Sequence, residues 1–521
     1  MRFHSRAASA GLVLTALAVL TACTSPTSTN GGAQDVRSSG AVGDTLTVVT
    51  VVPPQTLDPA KTVQNNAWLE QLAYEPLVVR KSDGTLAPGL AASWKYEGTD
   101  NTKFTMKLRD GVKFSDGTSL TAQNVVDHFT YVAKSGGQMA SFLAGNTYAA
   151  TDPMTVTITA KNPNPNFPEI LTQDYIIGGV ISSAGLKSPA TLGGATLGAG
   201  PYQLDKDQTT TGDHYTFVPN PNYYDKSAVH WKKVVIRVIT NPQSALNAVR
   251  TGQADVSVGD PSTVDAARKA GLTVAAAPLL WSGVVLADRA GTMSAPLKNP
   301  KVRQALNYAT DRSTIAKALF AGIGQPTSQI TVPGGYAYDP ALDNAYPYDV
   351  AKAKSLLADA GVPNGFPLKL VTPEYQQLNL IAQALKQQWK QVGVDLQITD
   401  RANSNQYVSD AFGAKFPSFM TAFGQLPVWM EGPSLFLPSA AFNPFHYADP
   451  QLQSLYDKAS RATGAEKDTL DKQVLKYVTD QAWFVPVVAT SLPYYARKTV
   501  AGVNTSAKAP LLELTEITAA G

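Results

Sequence analysis

The 521-residue chain has one cysteine, Cys23, and it stands near the front, in LTACTSPTSTNGG. Without a second thiol there can be no intramolecular disulfide and no thiolate zinc site, so so long a chain must hold its shape by packing alone. Ahead of Cys23, Arg2 and Arg6 form a positive segment, and Ala7 to Leu20 (AASAGLVLTALAVL) form an unbroken apolar and small run. Such a run is the hydrophobic region of a signal peptide. It is shorter than the roughly 20 residues that a membrane-spanning helix requires.

Leu20-Thr21-Ala22-Cys23, directly after that run, resembles a bacterial lipobox. The resemblance implies a signal cut after residue 22 and lipidation of Cys23; an ordinary secretory cut nearby is the alternative. Each buried CH2 of an acyl chain contributes about 0.8 kcal/mol, and one chain alone binds marginally, so several chains on one residue would anchor the protein without spanning. Residues 23–43 (CTSPTSTNGGAQDVRSSGAVG) are rich in Ser, Thr, Gly and Asn and read as a flexible tether. The folded body is expected to begin near Asp44, on the outer face of the cytoplasmic membrane or in the periplasmic space.

Removal of residues 1–22 leaves 499 residues, too many for a single core, so two or three domains are expected. Of 43 basic side chains, Arg2 and Arg6 leave with the signal, and the rest nearly balance 40 acidic ones. That balance predicts neither a nucleic-acid surface nor a polybasic membrane patch. No later stretch is long and apolar enough to span a bilayer.

Local patterns set the fold class. Lys103 to Phe114 alternates Phe104, Met106 and Leu108 with Val112 and Phe114 around Asp110-Gly111, which predicts a hairpin with its turn there. Thr121 is expected to cap a helix carrying Val125 and Phe129. Asn299-Pro300 is a second helix start, followed by Val302, Leu306 and Ala309 on one face. Asp349 is a third, with Gly361 as the stop. A strand at 368–372, a helix carrying Ile381, Leu385, Trp389 and Val392, and a strand alternating Val394, Leu396 and Ile398 then read as a βαβ unit. The class is therefore α/β.

Catalytic patterns are missing. There is no G-x-S-x-G, no H-E-x-x-H, no P-loop and no cysteine nucleophile in the body. His128, His214, His230 and His446 are all far apart, so no helical metal pair forms, and His128 follows the hydrophobic rhythm of its helix. Gly198-Ala199-Gly200 lacks a third glycine at Gln203 and makes no dinucleotide site. No cofactor, metal or catalytic residue is assigned. A surface-anchored hydrolase is the competing class.

Taken in order, LDPA (57–60), YEPLV (74–78), LAPGLAASW (86–94), FTMKLRDGVKFSDGTSLTAQNVV (104–126), GAGPY (198–202), NPNYYD (220–225), NPKVRQALNYATDRSTI (299–315) and YDVAKAKSLLADAG (348–361) span most of the chain. They resemble the peptide- and nickel-type solute-binding proteins of bacterial ABC importers, the extracellular solute-binding protein family five. The resemblance implies a two-lobed periplasmic-binding-protein-like clamp with an additional inserted domain. Mapped here, lobe one is 44–79, 200–280 and 483–521, the insert 80–199 and lobe two 281–482, with hinges near 280–283 and 481–486.

It also implies a monomer that closes on a small organic solute, a peptide or another, and delivers it to an ABC permease. Sugar oligomers and metal complexes are alternatives in the same fold. In peptide-binding members an Asp of lobe two holds the peptide ammonium. Here TAFGQLPVWMEGPSLFLP (421–438) places Gln425 about where that Asp would stand, with Glu431 the only carboxylate nearby. A neutral Gln can orient an amide or hydroxyl but cannot neutralise an ammonium. Phe423 and Trp429 in this stretch, and Trp281 beside the expected hinge, offer flat apolar faces. The ligand-binding candidates are thus Trp281, Phe423, Gln425, Trp429 and Glu431.

Overall fold

The last six residues of the strand Thr273–Leu286 are all buried, and its two faces enter different cores in the middle of the molecule. Val284 and Leu286 enter one core with Val302, Leu306, Leu385 and Trp389; Trp281 and Val285 enter another with Val371, Phe419, Val428 and Phe484. Successive strand residues point to opposite faces, so a strand buried on both faces needs apolar residues throughout. Each such side chain contributes about 1.5–3 kcal/mol when fully buried. The computed structural model describes residues 42–521 apart from 63–65, 138, 321 and 376; Cys23 and the signal lie outside the described residues.

The main sheet has eleven strands, one of them the two-residue Gln325–Pro326 beside Phe484–Ala496. One half runs Asp395–Arg401, Pro367–Pro373, Ser418–Gly424; the other runs Val256–Val258, Gly43–Thr50, Trp231–Val238, His214–Pro219, Tyr202–Leu204. Thr273–Leu286 and Phe484–Ala496 lie between the halves and pair antiparallel with each other from Thr273↔Ala496 to Val285↔Phe484. Their register slips between Pro278 and Leu280 and between Ser282 and Gly283. A side chain at Gly283 would place its Cβ 2.2 Å from the Val485 carbonyl oxygen, so this close approach demands glycine.

A separate sheet of four strands, in the order Ala91–Glu97, Lys103–Leu108, Thr155–Thr159, Thr147–Asp152, packs Phe104, Met106, Val156 and Ile158 against Phe129 and Phe167. The helix against it, Ala122–Lys134, begins where expected. Thr121 Oγ1 accepts from Asn124 N–H, and the Asn124 side chain accepts in return from the Thr121 N–H. His128 on this helix is fully buried with Nε2 against the Ile177 carbonyl at 2.9 Å. Burial lowers its pKa to about 4, so it is neutral and structural.

The predicted hairpin at Asp110-Gly111 is corrected. Lys103–Leu108 is paired on one side by Ala91–Glu97 and on the other by Thr155–Thr159, so no edge is left for residues 112–114. The chain turns at Gly111 with φ of 75°, and 112–114 fold back on 118–120 instead, through Phe114 N–H to Thr118 O and Leu120 N–H to Val112 O. The tight turn is therefore the second Asp-Gly pair, Asp116-Gly117.

The βαβ unit stands as predicted. Pro367–Pro373 and Asp395–Arg401 are parallel neighbours, connected by the helix Leu378–Lys390. Trp389 is fully buried and its Nε1 donates to Thr310 Oγ1 at 3.0 Å. Asn299 caps Pro300–Tyr308 and Asp349 caps Val350–Asp359, each by accepting a backbone N–H. Among the described residues no helix is long and apolar enough to cross a membrane.

Candidate functional site

Phe423 lies directly across from Trp281 in the sheet, their rings 6.5 Å apart. Trp281 is completely buried, edge-on to Phe484 at 5.6 Å, and Phe423 is edge-on to Phe442 at 5.0 Å. These two form a wall inside the core. Two residues on, Gln425 follows the end of the strand with its backbone N–H on the Leu279 carbonyl at 3.1 Å, at the slip in the crossing strands. Its amide is engaged on both sides: Nε2 donates to the Ala507 carbonyl and Oε1 accepts from the Tyr336 N–H at 3.3 Å. Gln425 thus ties the C-terminal segment to the loop at 333–336. An open depression of about 470 Å³ lined by Ser82, Pro278, Pro333, Gly334 and Ala507 adjoins this tie.

Beyond Gln425, Pro427 starts the short helix Val428–Glu431. Val428 enters the core of Trp281 and Phe419, whereas Trp429 and Met430 turn the other way and pack on the core of Phe104 and Phe129. Trp429 is edge-on to Phe142 at 5.7 Å, and Phe142 is edge-on to Tyr175 at 6.0 Å. The Trp429 carbonyl accepts from Tyr456 OH at 2.6 Å. Its indole Nε1 is buried with no hydrogen-bond partner among the described residues.

Arg80 extends this aromatic row. Its guanidinium stands over the Tyr336 ring at 5.7 Å, with Nε on Asp174 at 2.6 Å and Nη1 on the Gly84 carbonyl at 3.3 Å. Nη2 is buried without a partner among the described residues, as is Oε2 of Glu169. Burial works against the charge on Arg80, but Tyr336, Asp174 and Glu169 outweigh it and hold the side chain firmly protonated. Gln173 brackets the Arg80 backbone, accepting from its N–H and donating to its carbonyl, and also donates to Glu513 at 3.0 Å. Burial pushes Glu513 up to about 8.

Glu431 is wholly buried, and neither carboxyl oxygen has a hydrogen-bond partner among the described residues. Burial, reinforced by the charge of Asp471, raises its pKa well above the ordinary range; the Leu426 N–H leans the other way without forming a hydrogen bond. Asp471 comes from the helix Gly464–Asp480, where one oxygen pairs with Lys467 at 3.0 Å and the other has no partner among the described residues. Burial raises Asp471 to about 6 against the pull of Lys467, and Glu169 adds to the rise.

The structure therefore brings Trp281, Phe423 and Gln425 together along one strand and its neighbour, and turns Trp429 and Glu431 onto opposite faces of the next helix. Arg80, Phe142, Glu169, Tyr175, Tyr336 and Asp471 escaped the sequence reading. Of these, Asp471 alone carried a signal: it shares a helix face with the buried Val474, Leu475 and Val478, where a lone carboxylate is out of place.

The family described as bacterial extracellular solute-binding proteins, family 5 Middle, matches residues 85–440, and the chain belongs to that family. It is a solute-binding protein of an ABC importer, acting outside the cytoplasm and handing a small solute to a permease, and not an enzyme. Among curated relatives, the glutathione-binding protein GsiB of Shigella dysenteriae serotype 1 is 27% identical over 423 residues, covering 77% of this chain and 80% of its own. The probable D,D-dipeptide-binding periplasmic protein DdpA of Escherichia coli K12 is 28% identical, covering 88% and 91%. The structure of HbpA2 from Haemophilus parasuis aligns with a TM-score of 0.80 at 21% identity, over 92% of this chain and all of that one. The fold is accordingly the two-lobed α/β clamp of periplasmic binding proteins.

Proposed function

We propose that this clamp captures a peptide or other small organic solute bearing a cationic amine, in the cleft where Trp429 and Glu431 meet the region 80–199. The observation that carries the proposal is Glu431, a buried carboxyl with no hydrogen-bond partner among the described residues, two positions along the same short helix from an unpartnered indole donor and within the field of Asp471. An unpaired buried carboxyl is costly, and an ammonium is the group that relieves it. Arg80 with its free Nη2 offers the opposite charge across the cleft, which suits a zwitterion. Phe142, Tyr175 and Tyr336 provide flat faces between the two, while Trp281 and Phe423 back the site and Gln425 latches it.

Lobe one in this reading is 44–79, 200–280 and 483–521, the insert 80–199 and lobe two 281–482. The crossing strands Thr273–Leu286 and Phe484–Ala496 are the hinge, and their register slips and Gly283 supply the compliance. Solute touches both sides only when the lobes are closed, so binding shifts the population toward the form that the permease reads. The protein acts as a monomer, held to the membrane through lipid on Cys23.

Trp429→Ala tests the site. It is expected to weaken solute binding tenfold or more by isothermal titration, with thermal unfolding still cooperative; unchanged affinity in a folded variant would remove the cleft from the mechanism.

A further inference from the structure

A second buried charge lies far from the cleft, where the two crossing strands meet the outer rim of the lobe. After Leu286 the chain continues through Ala287 and Asp288 to Arg289, and Leu286 N–H donates to the carbonyl of Trp483, the residue that precedes Phe484–Ala496. Arg289 is 1% exposed. Its guanidinium stacks 4.5 Å from the centre of the Trp483 ring and 5.4 Å from that of Phe484. All three of its guanidinium nitrogens are buried with no acceptor among the described residues, and Ser294 Oγ nearby in sequence is likewise buried and unpartnered.

Neighbouring charges make this worse. The other guanidinium whose field reaches Arg289 is that of Arg303, which donates to the carbonyls of Gln481, Leu297 and Lys298. Asp288, the adjacent carboxylate, is fully occupied: it accepts from the Thr292 N–H and hydroxyl and from the N–H groups of Met293 and Ser294. Burial, then Arg303, lowers Arg289 to about 9, and Tyr447 partly offsets them. Stacking on an aromatic ring recovers only a small part of the cost of taking an unpaired guanidinium out of water. A guanidinium with five N–H donors in a fixed fork asks for an acceptor that carries charge.

We infer that Arg289, with Arg303 and Tyr447 around it, forms an enclosed site for one small monovalent inorganic anion of halide size. Arg289 and Arg303 are almost without contact with solvent, so an anion held there would be enclosed by protein. Its place matters as well. The anion would lock Ala287–Arg289 and Ala482–Trp483, the outer ends of both crossing strands, to the helix Pro300–Tyr308 that carries Arg303. The site lies apart from the solute cleft, so the two stand or fall separately.

The test uses the whole mature protein and sodium bromide. Crystals grown with bromide in place of chloride are expected to show an anomalous bromine peak within hydrogen-bond distance of the Arg289 guanidinium. Bromide confined to the surface, or water alone at that place, would overturn the proposal. In parallel, the melting temperature of the wild type should rise by several degrees as chloride replaces gluconate at constant ionic strength. Arg289→Met, which keeps the stacking bulk, should lose that dependence while retaining solute binding. An equal chloride response in the two proteins would also overturn it; if Arg289→Met does not fold, the bromide map on the wild type decides alone.

Discussion

Replacing Glu431 with Leu removes a buried carboxyl while nearly keeping its volume, and its consequences can be worked out in sign and size. In the empty protein Glu431 has no hydrogen-bond partner among the described residues, and its pKa is held well above the ordinary value of 4.5. The unfolded chain releases that proton near 4.5, whereas the folded chain keeps it. Between those two values the folded state binds one proton more, so wild-type stability falls as pH rises, by about 1.4 kcal/mol per pH unit for one proton. Leu does not titrate, so the advantage of Glu431→Leu over wild type should widen from pH 5 to pH 8, by at most about 4 kcal/mol over those three units. Near pH 5 the variant should already gain on the order of 1–3 kcal/mol, the cost of leaving a buried polar group unsatisfied.

The assay is denaturant unfolding at four pH values on protein freed of ligand. Asp471, Glu513 and Glu70, also raised by burial, titrate in both proteins, so to first order the difference between the two curves isolates Glu431. Two curves that run parallel across pH 5 to 8 would refute the reasoning, since they would mean that the folded protein already holds Glu431 ionised and partnered. The same linkage predicts that an amine ligand expels the proton on binding, so affinity should rise with pH through the same interval.

Three further outcomes are expected. Gln425→Ala removes a tie to Tyr336 within lobe two and one to Ala507 across the lobes; the second, a net contribution of about 0.5–1.5 kcal/mol, should raise the open population by up to roughly tenfold; a radius of gyration unchanged in small-angle scattering would contradict this. Thr121→Ala should cost about 1 kcal/mol through loss of the helix cap, with solute affinity unaffected, as read by thermal unfolding and titration. Cys23→Ser should move the protein from the membrane fraction to the soluble fraction of its host, and continued membrane retention would exclude the lipid anchor.

Helix starts were legible because they are local. Thr121, Asn299 and Asp349 each satisfy backbone N–H groups within three residues, and nothing distant competes. The hairpin was misjudged because two Asp-Gly pairs stand six residues apart, and the choice between them belongs to strands that arrive from 91–97 and 155–159. The surroundings of 421–438 were less legible. Trp429 and Glu431 lie in a stretch whose resemblance drew attention to it, but Phe142 becomes a partner of that stretch only through tertiary packing across some 300 residues, and Glu169 reaches only Asp471 beside it. Gln425 stands out in the sequence as a neutral residue, yet its amide serves neighbouring loops, which no local pattern discloses.

The central claim is that an amine-bearing, zwitterionic solute is held between Trp429, Glu431 and Arg80. Native mass spectrometry of the protein taken from its own host, beside Glu431→Leu purified in the same way, tests it most directly. The account predicts one small amine-bearing molecule per wild-type chain and none on the variant. A bound species without an amine, or one retained equally by Glu431→Leu, would contradict it.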